Sequence, residues 1–158
     1  MKKVFTTGVP IVLSLYIAVI FLDSLRYKFT NHPKTENIFG ILDSWAGTLG
    51  LPGLFAHTGV FSQYVIGSVE LLAAALVLLG LVPALRKLSL VGSGIAFVVM
   101  TGALFFHLFT PLGIDPNQDG GGLFVAAVLL WCASIVLISI RLRERGIIAK
   151  QADESAQN

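Results

Sequence analysis

Apolar residues run almost unbroken through four stretches of this chain, about 9–26, 63–82, 88–110 and 122–141, and polar residues gather in the gaps. A helix rises about 1.5 Å per residue, so roughly 18–20 apolar residues carry it across the hydrocarbon core of a bilayer. Each stretch approaches or exceeds that length. The second and third are joined only by VPALRK and the third and fourth by a modest loop, which favours antiparallel neighbours. The pattern therefore predicts an all-α fold, an integral membrane, up-down four-helix bundle over residues 9–142. The outer segment 29–62 behaves differently. There Ile38, Leu42, Trp45 and Leu49 recur at helical spacing, with Glu36 and Asp43 on polar faces. That predicts a short interfacial helix between the first and second membrane helices, lying on the bundle as a lid. Gly47, Gly50, Pro52 and Gly53 then break it. Residues 1–8 are a short flank, and 143–158 a polar tail whose end, QADESAQN, is expected to be disordered.

Composition strengthens the membrane assignment. Hydrophobic residues make up 55% of the 158 and charged residues 13%, with mean hydropathy +0.82. A soluble domain carries nearer a quarter charged residues, so lipid must solvate much of this surface. The small net charge of +2 is split among flanks and is no nucleic-acid footprint. Lys2, Lys3 and a following apolar run resemble the start of a signal peptide. The run is long for that role and no small-x-small cleavage site follows, so it reads as a retained first membrane helix. Pro10 suits its first turn. Lys2, Lys3, Arg86, Lys87, Arg141, Arg143, Arg145 and Lys150 flank one side; Arg26, Lys28 and Lys34 flank the other. That asymmetry predicts both termini in the cytoplasm, in a bacterial inner membrane.

Polar residues inside apolar runs carry what chemistry there is. Glu70 lies about six residues into the second stretch, roughly 10 Å from its outer end. An acidic residue near a helix centre costs on the order of 2.5–3.5 kcal/mol to insert, less toward an interface. Gly67, Ala73 and Ala74 share its face, and small residues mark helix contacts, so Glu70 is expected to point into the bundle. His107, near the outer end of the third helix, is a candidate partner. Asp23 and Arg26, three apart near the end of the first helix, are expected to pair. Together the four predict a polar pocket beneath the lid. The same groups also fit a structural role, as polar glue that sets helix register.

Other motifs weigh less. DPNQDG at 115–120 matches the opening of a calcium loop through Asp115, Asn117 and Asp119, but Ala126 stands where the bidentate Glu should be. A Pro/Asn/Gly turn accounts for it, with Asp119 favourable near a helix N-terminus. His32 and His57 form no local metal motif. Cys132, the lone cysteine, excludes an internal disulfide and reads as inert packing.

Four stretches in order, FLDSLRYKFT at 21–30, GSVELLAAALVLLG at 67–80, MTGALFFHL at 100–108 and GIDPNQDGGGLF at 113–124, resemble the DoxX-like family of small bacterial membrane proteins. The resemblance covers most of residues 9–142. It implies a four-helix membrane protein; some members are small subunits of thiosulfate:quinone oxidoreductase, and others belong to membrane complexes handling oxidative or thiol stress. Two functions stay open. One is the membrane subunit of a redox complex, binding a quinone-like or sulfur-containing molecule in the outer pocket, with Glu70 exchanging a proton and His107 hydrogen bonding. Its electrons would come from a partner protein or bound cofactor, so a self-sufficient enzyme is not expected. The other is a non-catalytic scaffold or assembly module. A transporter is weaker, because no broken helix or repeat is present.

Overall fold

The computed structural model describes residues 8–156, with side chains through residue 147. It holds five α-helices and, among the described residues, no strand. They are α1 (Val9–Phe29), α2 (Pro33–Thr48), α3 (Gln63–Leu79), α4 (Arg86–Phe109) and α5 (Gly122–Ala156), with a 3₁₀ turn at Pro83–Leu85 leading into α4. Three spans are long and apolar enough to cross a membrane: Val9–Phe29, Pro83–Phe109 and Gly122–Ile147. The fourth expected span, α3, is apolar but stops at 17 residues.

α1 packs on α3, α3 on α4, α4 on α5, and α5 returns to α1. Their shared core includes Ile17, Phe21, Val77, Met100, Leu130 and Leu137. Neighbours run antiparallel: the end of α1 meets the start of α3 through Lys28 and Glu70, and the start of α4 meets the far part of α5 through Ser89 and Arg141. Small residues let the backbones approach. At Gly92 of α4, an added Cβ would lie 2.8 Å from the Val77 nitrogen and 2.9 Å from the Ala73 carbonyl oxygen. Large apolar side chains such as Val12, Val19, Val98 and Leu129 are turned outward, the arrangement expected of helices solvated by lipid.

The short helix expected within 29–62 is present as α2 and is longer than its periodicity implied. Pro33 starts α2, and the His32 ring caps it by accepting from the Lys34 N–H. Leu42 and Ala46 bury against Phe55 and Leu112, with Trp45 edge-on to Phe106 of α4. Leu49, expected on the same apolar stripe, caps the helix and stays exposed. Asn37 Nδ2 donates to the Pro116 carbonyl at 2.9 Å, tying the lid to the α4–α5 loop. The boundaries of α1 and α5 also differ from expectation. α1 continues past residue 26 because Lys28 finds a partner inside. α5 runs on to Ala156, well past residue 141 and through most of the tail expected to be disordered. Arg141 and Glu144, three apart and paired at 2.9 Å, support that extension.

Candidate functional site

The buried stripe of α1 steps through Ser14, Ile17, Phe21 and Leu25, and Ser24 and Lys28 continue it by one helical turn. This places both polar side chains against α3 at the level of Glu70. Lys28 Nζ donates to Glu70 Oε2 at 2.9 Å and to Oε1 at 3.1 Å. Ser24 Oγ donates to Oε2 at 3.2 Å, and Lys28 also donates to Ser24 Oγ. The Glu70 side chain is 4% exposed and that of Lys28 14%. Both carboxylate oxygens are thus held by protein donors, and the buried negative charge is neutralised at contact distance.

A second tier of polar groups braces this pair. Gln63, at the start of α3 and fully buried, donates through Nε2 to the Lys28 carbonyl at 2.9 Å and to Asn31 Oδ1 at 2.7 Å. The Tyr64 hydroxyl donates to the same Asn31 oxygen. Asn31 adopts the left-handed backbone (φ 52°), which Asn tolerates and which turns the chain from α1 toward α2. Gln63 Oε1 has no hydrogen-bond partner although it is buried.

The four residues expected to line one pocket fall in three places. Glu70 pairs with Lys28 and Ser24. Asp23 and Arg26 do pair, at 3.0 Å, but on the outer surface, where both side chains are more than half exposed and the guanidinium lies over the Tyr27 ring. His107 is buried against Phe124, and its Nδ1 lies 2.6 Å from the Gly113 carbonyl oxygen. A carbonyl only accepts, so Nδ1–H donates and the ring latches the α4–α5 loop to α4. Among the described residues no hydrogen bond or ion pair joins these three places. Two open grooves lie outside these three places. One of about 400 Å³ runs along Tyr64, Val65 and Leu72 of α3, and one of about 620 Å³ along Gly40, Ser44 and Trp45 of α2.

Two ionic residues escaped sequence reasoning. Lys28 counted as a flanking cation because the first helix was expected to end at residue 26; the 3-4 spacing of Phe21, Ser24 and Lys28 was the signal. Arg141 also counted as a flank. It is buried, donating from Nε to Ser89 Oγ at 3.2 Å and from Nη1 to Glu144. It opens the charged run RLRER, where nothing in the pattern set it apart from Arg143 and Arg145.

The calcium-loop residues are engaged with one another and with the lid. Asp115 accepts the backbone N–H groups of Asp119 (2.8 Å) and Gly120 (3.2 Å). Asn117 Oδ1 accepts from Asn37, and Asp119 lies 3.5 Å from Lys34 Nζ. Among the described residues no group of three or more His, Cys, Asp or Glu is placed to hold a metal. The Asp119 N–H, chiefly, holds the Asp115 carboxyl below the ordinary carboxylate range. A carboxyl whose folded pKa is depressed stabilises the turn above its unfolded pKa, and the contribution is lost as pH falls through the folded value. Protection of the Asp119 and Gly120 amides from exchange is therefore expected to hold from neutrality to about pH 4 and to fall below it. Asp115→Ala should remove that protection at every pH. Cys132 lies exposed on the outer face of α5. No family model, curated protein or solved structure matches this chain.

Proposed function

We propose that α1, α3, α4 and α5 form a four-helix membrane bundle of the DoxX-like kind, with α2 as an outer lid and both termini in the bacterial cytoplasm, and that the protein is a non-catalytic membrane module that holds or assembles partner proteins. Seventeen residues of α3 span about 25 Å, and the Gly80–Leu85 connection supplies the remainder. Arg86, Lys87, Arg143 and Arg145 are exposed at the end bearing the termini, which supports the orientation. The observation that carries the functional reading is the saturation of Glu70. A carboxylate held by a lysine on both oxygens and by a serine on one is engaged in locking α1 to α3 rather than turned toward a ligand.

The redox-subunit reading keeps one specific support. Gln63 Oε1 is a spare buried acceptor beside the Lys28 carbonyl, and a donor such as a quinol hydroxyl would satisfy it. Purification from the native membrane in mild detergent, with mass spectrometry of proteins and extracted lipids, separates the readings. The module reading expects a co-purifying protein partner, no retained quinone, and unchanged partner recovery from the doubly neutralised Lys28→Met/Glu70→Gln protein. Retained quinone that is lost in Gln63→Leu would instead make the protein a redox subunit.

A further inference from the structure

From Ser44 to Val69 the chain contains no Asp, Glu, Lys or Arg, and His57 is its one histidine. Most of this run is loop, joining α2 to α3. Yet its large apolar side chains do not all fold inward. Phe55 does, burying under α2 and edge-on to Phe106 of α4 at 5.2 Å. Leu49, Leu51, Val60 and Phe61 stay outside, with Val60 66% and Leu51 54% exposed. Phe109, at the end of α4, is exposed as well. Single exposed apolar residues need no explanation, but a charge-free cluster does.

We propose that the 49–61 loop is seated in the outer bilayer interface, with Leu49, Leu51, Val60 and Phe61 in contact with lipid acyl chains. This rests on the membrane-bundle reading above. Irregular backbone at this depth needs its polar groups met by the protein or by the water and headgroups of the interface, and several of this loop's are met from within. The Leu51 N–H donates to the Ala46 carbonyl, Gly59 to Ala56, Phe61 to Leu54 and Ser62 to Gly59. Asp43 Oδ1 accepts the Phe55 N–H at 2.9 Å. The loop closes on itself so tightly that a Cβ at Gly59 would overlap the carbonyl oxygens of Gly53 and Leu54. His57, reaching back to Glu36 of α2 at 2.8 Å, keeps the loop's polar side toward the lid. The exposed apolar side chains of α3 also lead toward the loop, from Leu72 through Val65 to Phe61, with Ser68 among them. The exposed Asp23–Arg26 pair on α1 gives the same end of the bundle a polar flank.

Spin labels on the full chain in phosphatidylcholine/phosphatidylglycerol vesicles test this, placed singly at Leu51→Cys, Val60→Cys, Ser44→Cys and Val98→Cys in a Cys132→Ser background. Collisions with dissolved oxygen report lipid, and collisions with a water-soluble nickel chelate report water. Labels at 51 and 60 are expected to favour oxygen, as the lipid-facing label at 98 does, while the label at 44 favours the chelate. Chelate access at 51 and 60 with oxygen still favoured at 98 overturns the loop's seating and leaves the bundle standing. Poor access for both reagents at 51 and 60 also overturns it, because a second copy would then cover the loop. Chelate access at 98 defeats the membrane bundle itself, and the loop's seating with it.

Discussion

Lys28→Met is expected to cost the fold about 3–5 kcal/mol, because it leaves the Glu70 carboxylate buried among apolar helices with only Ser24 to donate to it. Glu70→Gln should cost less, on the order of 1.5–3 kcal/mol for a lost charged hydrogen bond. The difference lies in where the surviving charge can go. Lys28 sits in the last turn of α1, is partly exposed and has a long flexible stem, so without Glu70 its ammonium reaches water. Glu70, on the third turn of α3 and 3% exposed as a residue, has no such exit. The double variant Lys28→Met/Glu70→Gln removes both charges and keeps a hydrogen-bonding group near Ser24, so it should recover most of the Lys28→Met loss. Reversible unfolding of all four proteins in mixed micelles gives the coupling energy directly. A double variant as unstable as Lys28→Met alone would mean that the pair is not what burial makes costly.

Much of the architecture was legible because lipid imposes a simple rule: apolar runs become helices whose backbone bonds are satisfied internally. That rule locates α1, α3, α4 and α5 to within a few residues at most ends. The periodicity of Ile38, Leu42 and Trp45 was enough to find α2, since those side chains bury against Phe55, Phe106 and Leu112. The partner of Glu70 was harder. Helix ends read from composition stop at the first charged residue, and Arg26 came before Lys28. Which of two cations turns inward depends on helical phase, and Lys28 shares the face of Phe21 while Arg26 does not. His107 was visible as a polar residue in an apolar helix, but its partner is a main-chain carbonyl at Gly113, which no side-chain pattern announces. The α5 extension was missed for the opposite reason, since beyond Arg141 charged and polar residues break the apolar run that marks the helix.

Gly92→Ala should destabilise the bundle by about 1–3 kcal/mol, the usual range for overpacking, against what helix propensity alone dictates. An alanine in place of a mid-helix glycine ordinarily gains up to about 1 kcal/mol. At Gly92 the new methyl would stand 2.8 Å from the Val77 nitrogen, 2.8 Å from Leu76 Cβ and 2.9 Å from the Ala73 carbonyl oxygen. Two of these are backbone atoms that no rotamer change can move, so α3 and α4 must separate along the seam. That seam holds Ala73, Val77 and Ala96, each fully buried, and small loss of contact there is felt because packing, not hydrophobic burial, holds helices together in lipid. Gly94 and Gly102 lie on the same helix, where an added methyl would meet nothing within 4 Å. Gly94→Ala and Gly102→Ala are accordingly expected to be neutral or stabilising by up to about 1 kcal/mol. Opposite signs at 92 and at 94 and 102, read from thermal unfolding of the three variants in one detergent, identify the α3–α4 seam as the tight contact. Gly92→Leu should then fail to assemble the bundle. A stable Gly92→Leu protein would require α4 to pack with a different face toward α3, and the Ser89–Arg141 contact, one turn away on α4, would be lost with it.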